Sequence, residues 1–167
     1  RMGRLTMRAA FDWNDIEIIQ INDPAGNAAT LAYLLTFDSV HGIWQHEATH
    51  ENDTMIVAGK RIACTQNKTI EETDWSACDV VIEASGKMKT KALLQAYLDQ
   101  GVKRVVVTAP VKEVGVLNVV MGVNDQLYNK EQHPIVTAAS CTTNCLAPVV
   151  KVIHEKLGIV HGSMTTI

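Results

Sequence analysis

The stretch Ala139-Ser140-Cys141-Thr142-Thr143-Asn144-Cys145-Leu146-Ala147-Pro148 carries the residue types most able to do chemistry in this chain. A cysteine flanked by small hydroxyl residues, where a strand gives way to a helix, occupies a good position for a nucleophile. The helix N-terminus presents amides without intrahelical partners and a partial positive charge, and both favour an anionic sulfur. The same amides and the Thr142 hydroxyl can hold a developing oxyanion or an incoming phosphate. The residues alone leave a plainer reading open, because most cysteines are inert small hydrophobes. That reading is preferred for Cys64 and Cys78, while Cys145 reads as buried or as a neighbour of Cys141, open to a transient bond with it under oxidation.

A second feature lies near the N-terminus. Gly3 opens an amphipathic helix, and the strand that follows ends at Asp23. The separation of about twenty residues is that between the last glycine of a dinucleotide-binding turn and the acid that holds the adenosine ribose. A carboxylate there accepts hydrogen bonds from the ribose hydroxyls and repels a 2′-phosphate, so it favours NAD over NADP. One glycine and one acid form a weak signature by themselves. His46-Glu47-Ala48-Thr49-His50 spells a zinc-protease motif, which works only on a helix, where residues four apart share a face. The segment reads as extended strand and turn, in which such positions lie about 13 Å apart, too far for one metal. Cys141 and Cys145 share a helix face but have no further ligands spaced nearby, so no metal site is expected.

The elements that must position these residues alternate between apolar runs and helical patterns, the signature of parallel β/α units. Strands are expected at Ile16–Ile21, Asp79–Ala84, Arg104–Thr108, Val116–Val123, Ile135–Ala138 and Ile159–Ile167. Thr54–Val57 and Arg61–Thr65 flank Ala58-Gly59-Lys60 as a hairpin. Helices are expected at Asn27–Leu35, at Thr90–Asp99 closed by Gly101, and from about Asn144 to Leu157 with Gly158 as the stop. Pro148 fits the last of these only near its first turn or at a kink.

The chain has 167 residues, enough for one domain or for one domain and the opening of another. Its net charge of -3 argues against a nucleic-acid binder, and no run of eighteen or more apolar residues suggests a membrane span. Four cysteines without a dense framework suggest a reduced, cytoplasmic setting. The opening Arg1-Met2-Gly3-Arg4 does not look like a signal peptide.

From Ser140 to Pro148 the sequence resembles the active-site signature of the phosphorylating glyceraldehyde-3-phosphate dehydrogenases, and the likeness extends along essentially the whole chain. Arg1-Met2-Gly3-Arg4 resembles the end of that family's glycine-rich turn, and Ile21-Asn22-Asp23-Pro24 its ribose-binding strand end. Phe37-Asp38-Ser39-Val40-His41-Gly42 is similar to the segment after the second helix. Glu83-Ala84-Ser85-Gly86 and Thr108-Ala109-Pro110 resemble the loops on the nicotinamide side of the cofactor, and Val120-Met121-Gly122-Val123-Asn124 matches another family segment.

The resemblance implies an α/β fold: a doubly wound Rossmann-type NAD-binding domain over residues 1–140, lacking its first strand, and the beginning of an α+β catalytic domain over 141–167. It implies NAD held by Arg1, Met2, Asp23, Ser85 and Thr108, a nucleophile at Cys141, and inorganic phosphate held by Ser140 and Thr142. The implied reaction is glycolytic oxidation of a phosphorylated aldehyde through a cysteine thioester, in a cytoplasmic homo-oligomer, a tetramer when complete. The family's base histidine would follow Ile167 and its first strand would precede Arg1, so the 167-residue chain alone is expected to be inactive and poorly stable. Ala138, where the family often has asparagine, Lys87-Met88-Lys89 and Pro24-Ala25-Gly26 depart from the pattern. These departures resemble a bacterial branch associated with arsenic resistance, in which arsenate replaces phosphate. Two rival readings stay open: an erythrose-4-phosphate-type dehydrogenase, and a non-catalytic thiol-bearing nucleotide-binding module.

Overall fold

The computed structural model of the chain describes residues 1–166. They form two compact units, the first spanning Arg1–Cys78 and the second beginning at Asp79.

The first unit opens with helix α1 (Met2–Ala10), strand β1 (Gln20–Asn22) and helix α2 (Ala28–Thr36). Asn27 starts α2 by accepting a hydrogen bond from Thr30 N–H through its side chain, which satisfies one of the amides a helix leaves unpaired. Two short strands, β2 (Phe37–Asp38) and β3 (Gly42–Ile43), form a small antiparallel ribbon. Strands β4 (Ala48–Glu51), β5 (Thr54–Val57) and β6 (Lys60–Thr65) complete a four-stranded sheet in the order β1-β6-β5-β4. The hairpin expected around Ala58-Gly59 is present, with Ala58 at φ 47 and Gly59 at φ 79, the two positive angles that a tight hairpin turn requires. β1 pairs parallel to β6 from Gln20↔Ala63 to Asn22↔Thr65. The expected strand at Ile16–Ile21 is therefore much shorter. β1 runs beside only the last three residues of β6. Met7, Phe11, Leu31, Leu35, Met55, Val57 and Ile62 close the core between helices and sheet.

The second unit contains strand β7 (Val80–Glu83), helix α3 (Lys91–Asp99), strands β8 (Arg104–Val107), β9 (Leu117–Asn118) and β10 (Ile135–Thr137), and helix α4 (Cys141–Leu157). Its sheet has the order β7-β8-β10-β9, and all three pairings are parallel. The crossover from β7 through α3 to β8 is the βαβ unit that parallel strands demand. Thr90 caps α3 by accepting from Leu93 N–H, and Gly101 follows at φ 99, as the sequence suggested. Val105, Leu94 and Ile135 are essentially inaccessible and form the centre of this unit; burying each such side chain stabilises by about 1.5–3 kcal/mol.

The fold class is the expected one, α/β with a parallel sheet of Rossmann type. Three local expectations change. The strand expected at Val116–Val123 shrinks to β9, because Gly122 at φ 77 and the Asn124 side chain, which accepts from Val120 N–H, fold the rest into a turn. α4 begins at Cys141 rather than near Asn144, and Pro148 lies inside it. Ile159–Thr166 forms no strand, and Ile167 lies outside the described residues. Among the described residues no helix is long and apolar enough to cross a membrane.

Arg8 ties α1 to the end of α2: its guanidinium donates to Leu35 O at 2.8 Å, to Thr36 O at 3.1 Å and to Gly42 O at 3.2 Å. A cation meeting the last carbonyls of a helix also opposes the negative end of its dipole. Arg8→Met keeps the apolar stem and removes every one of these donors. It is expected to cost about 2 kcal/mol in urea unfolding, the scale of a charged hydrogen-bond group lost from a half-buried site.

Candidate active site

Cys141 is the first residue of the 17-residue helix α4, and Ser140 is its N-cap. The Ser140 hydroxyl accepts from Thr143 N–H at 3.1 Å and lies 3.0 Å from Thr142 Oγ1 and 2.7 Å from Thr143 Oγ1. A hydroxyl cap starting a long helix places the adjacent thiol over the helix's positive end, where negative charge is favoured. Cys141 and Cys145 are both free and exposed, so Cys145 is not the buried thiol that the sequence suggested. Cys64 is buried, and burial pushes its thiol up. A shallow hollow of about 280 Å³ beside the helix start is lined by Thr142, Thr143, Leu146, Ala147, Val150 and Met164. A larger one, about 640 Å³, lies in the first unit around Phe11, Asp12, Trp13 and His46 and includes none of the expected site residues.

The backbone just before Cys141 is held by side chains. Asn144 Nδ2 donates to Ala138 O at 2.7 Å and to Ser140 O at 2.9 Å. The Thr137 hydroxyl accepts from Ala139 N–H at 3.0 Å and donates to Asn118 Oδ1 at 2.7 Å. Ala139, buried, sits at φ 55, a left-handed conformation that is costly for any residue with a Cβ. Sequence reasoning missed Asn118, Thr137 and Asn144. The one available signal was Asn144 itself, an amide four residues after a candidate helix cap.

Other expected site residues fall at strand ends. Ser85 follows β7, donates its N–H to Glu83 Oε1 at 2.7 Å, and accepts from Lys87 N–H through its hydroxyl at 3.1 Å. Thr108 follows β8 and donates its N–H to Glu83 O at 2.9 Å. Because β7, β8 and β10 are parallel, Ser85, Thr108 and Ser140-Cys141 all follow the carboxyl ends of this sheet. In the first unit Asp23 follows β1, and its Oδ1 accepts from Ala25 N–H at 2.9 Å. Arg1 is the N-cap position of α1 and donates to Asp38 Oδ2 at 3.2 Å and Ser39 Oγ at 2.9 Å; Met2, the first helical residue, is exposed. The zinc-protease-like segment is not helical: His46 sits at a bend, 2.8 Å from Asp12 Oδ1, and His50 lies in β4.

Residues 1–91 match the family model described as glyceraldehyde 3-phosphate dehydrogenase, NAD binding domain, and residues 140–167 match that of the same enzyme's C-terminal domain. The chain belongs to the glyceraldehyde-3-phosphate dehydrogenase family. It is 52% identical to glyceraldehyde-3-phosphate dehydrogenase 3 of a Nostoc species over 169 aligned residues, covering 100% of this chain and 50% of that protein. It is 40% identical to the glyceraldehyde-3-phosphate dehydrogenase of Geobacillus stearothermophilus and to glyceraldehyde-3-phosphate dehydrogenase 2 of Bacillus subtilis, each across 100% of this chain. The chain thus spans about half the length of the curated relatives it matches.

The cofactor of the matched N-terminal domain is NAD. The residues present fit such a dinucleotide. The first-turn amides of α1 are groups of the kind that can receive a diphosphate. Asp23 stands at the strand end beside that helix start with one carboxylate oxygen engaged by a backbone N–H, and no salt bridge to Asp23 is found among the described residues.

Two outcomes follow from this geometry. The backbone N–H groups of His41 and Val40, aided by Arg1, hold the Asp38 carboxyl at about 2, below its ordinary value of 3.8. A depressed folded-state value stabilises above about pH 4 and is lost as pH falls toward 2. Asp38→Asn should flatten that acid limb when urea midpoints are followed from pH 5 down to pH 2. At Ala139, glycine should be tolerated within about 1 kcal/mol because it accepts φ above zero freely. Valine there should cost at least about 2 kcal/mol and slow alkylation of Cys141 by iodoacetamide, since a β-branched side chain is an outlier in that region.

Proposed function

We propose that the full-length protein oxidises glyceraldehyde 3-phosphate with NAD through a thioester on Cys141. In this reading residues 1–140 belong to the NAD-binding domain and residues 141–167 open the catalytic domain. The observation that carries it is an exposed cysteine at the first position of a serine-capped helix, in a chain of this family. Arg1, Met2 and the α1 amides face the diphosphate, Asp23 the adenosine ribose, and Ser85 and Thr108 the nicotinamide side.

The Cys141 sulfur, having lost its proton, adds to the aldehyde carbon, and the α4 amides stabilise the oxyanion of the hemithioacetal. The chemistry supplied by NAD when bound is hydride acceptance, which turns that adduct into a thioester. Ser140 and Thr142 hydroxyls then hold the incoming oxyanion that attacks the thioester carbon, and the Cys141 sulfur departs as thiolate, leaving an acyl phosphate. Arsenate fits the same two hydroxyls and would leave an acyl arsenate. A homo-oligomer is part of this reading, as is a cytoplasmic location, the latter supported by the relatives from Chlamydomonas reinhardtii and Pinus sylvestris, whose names describe them as cytosolic.

NADH formation from glyceraldehyde 3-phosphate, measured with phosphate and separately with arsenate, tests the proposal. The full-length protein should turn over with at least one acceptor, and Cys141→Ser should lower the rate by about 10³-fold or more. Undiminished turnover in Cys141→Ser, or none in the wild type with either acceptor, would sink it.

A further inference from the structure

Glu83 is a buried acid that the proposed chemistry does not use. It is the last residue of β7 and only 5% exposed. Its Oε1 accepts from Ser85 N–H at 2.7 Å, and its Oε2 accepts from the hydroxyl of Tyr97, itself buried on α3, at 2.8 Å. Its backbone carbonyl accepts from Thr108 N–H at 2.9 Å. One residue therefore touches the loop after β7, the loop after β8 and the helix between these strands.

Burying a carboxylate is costly unless its oxygens are well bonded, and an apolar side chain would fill the same volume at lower cost. An apolar side chain would also leave Ser85 N–H without its acceptor, at the tightest point of a loop that turns through Gly86 at φ 71. The rigid two-oxygen fork fixes the Ser85 amide relative to α3, and the backbone carbonyl fixes Thr108 relative to both. In doubly wound sheets ligands bind outside the carboxyl ends of the strands, where this brace sits. We propose that Glu83 is a positioning residue that locks the Ser85-Gly86 and Thr108-Pro110 loops in the arrangement that receives the nicotinamide half of NAD. This rests on the cofactor placement proposed above.

The test is NAD affinity of the full-length protein by titration calorimetry, with the thermal transition of the NAD-free protein recorded beside it. Glu83→Ala should weaken NAD binding about tenfold. Glu83→Gln should bind within about twofold of wild type, because its carbonyl can accept from Ser85 and its amide can donate to the Tyr97 oxygen. Glu83→Asp keeps the carboxyl group but is one methylene too short to serve both donors, and should resemble Glu83→Ala. The Asp and Gln variants carry the test if the Ala variant does not fold. Leu94→Ala, a cavity in α3 at a fully buried position, controls for a general loss of stability and should keep NAD affinity despite a lower Tm. Wild-type affinity in both Glu83→Asp and Glu83→Ala, an equal loss in Glu83→Gln, or an equal loss in Leu94→Ala would overturn the inference while leaving the cofactor assignment intact. A wild-type protein that does not bind NAD would remove both.

Discussion

The parallel register of β7, β8 and β10 is the constraint on which the second unit depends. Glu83 aligns with Val107, and Val107 with Thr137, so three buried residues lie in one row across the sheet. Beyond that row the chain leaves each strand at the same edge, and Thr108 and Ala138 continue the ladder by donating to Glu83 O and Val107 O. Side chains alternate between sheet faces, so a slip of one residue in β10 would turn Thr137 to the other face and carry the start of α4 to a different place. The start of α4, and Cys141 with it, thus follows from the backbone pairing of the strand just before it, β10, with β8.

The parts of the fold that were legible in the sequence are those with local signals. Asn27 and Thr90 announce helix starts because a short polar side chain can reach back to an amide three residues on, and Ala58-Gly59 announces its turn through the backbone angles it needs. β1 and β9 were overestimated because strand length depends on the partner: an apolar run such as Ile16–Ile19 satisfies the pattern without a ladder beside it. The start of α4 was obscured for another reason. Thr142 and Thr143 are poor interior helix residues and Pro148 lacks the amide the helix would use, yet the Ser140 cap and the amide of Asn144 secure the first turn. For the site, Cys141, Ser140 and Thr142 were visible as a cluster of reactive types. The brace of Asn118, Thr137 and Asn144 was not, since its members are separated in sequence and unremarkable one by one.

That brace explains how an unfavourable backbone can persist. Ala139 is held left-handed by groups on both sides, and the residues that hold it also cap, pair or buttress regular elements. Removing Asn144 therefore disturbs both the helix start and the segment after β10. The arrangement ties the backbone before the Cys141 thiol to both the sheet and the helix start.

Among the described residues, β1 and β7 each lie at the border of their sheet, paired to β6 and β8 respectively. On the other flank, backbone donors and acceptors point outward, and β7 adds two exposed apolar side chains, Val80 and Ile82. A border of this kind is a template: any extended segment that meets it can join the ladder. Among the described residues, β1 and β7 are thus the two places where an added strand would find a ladder ready to extend.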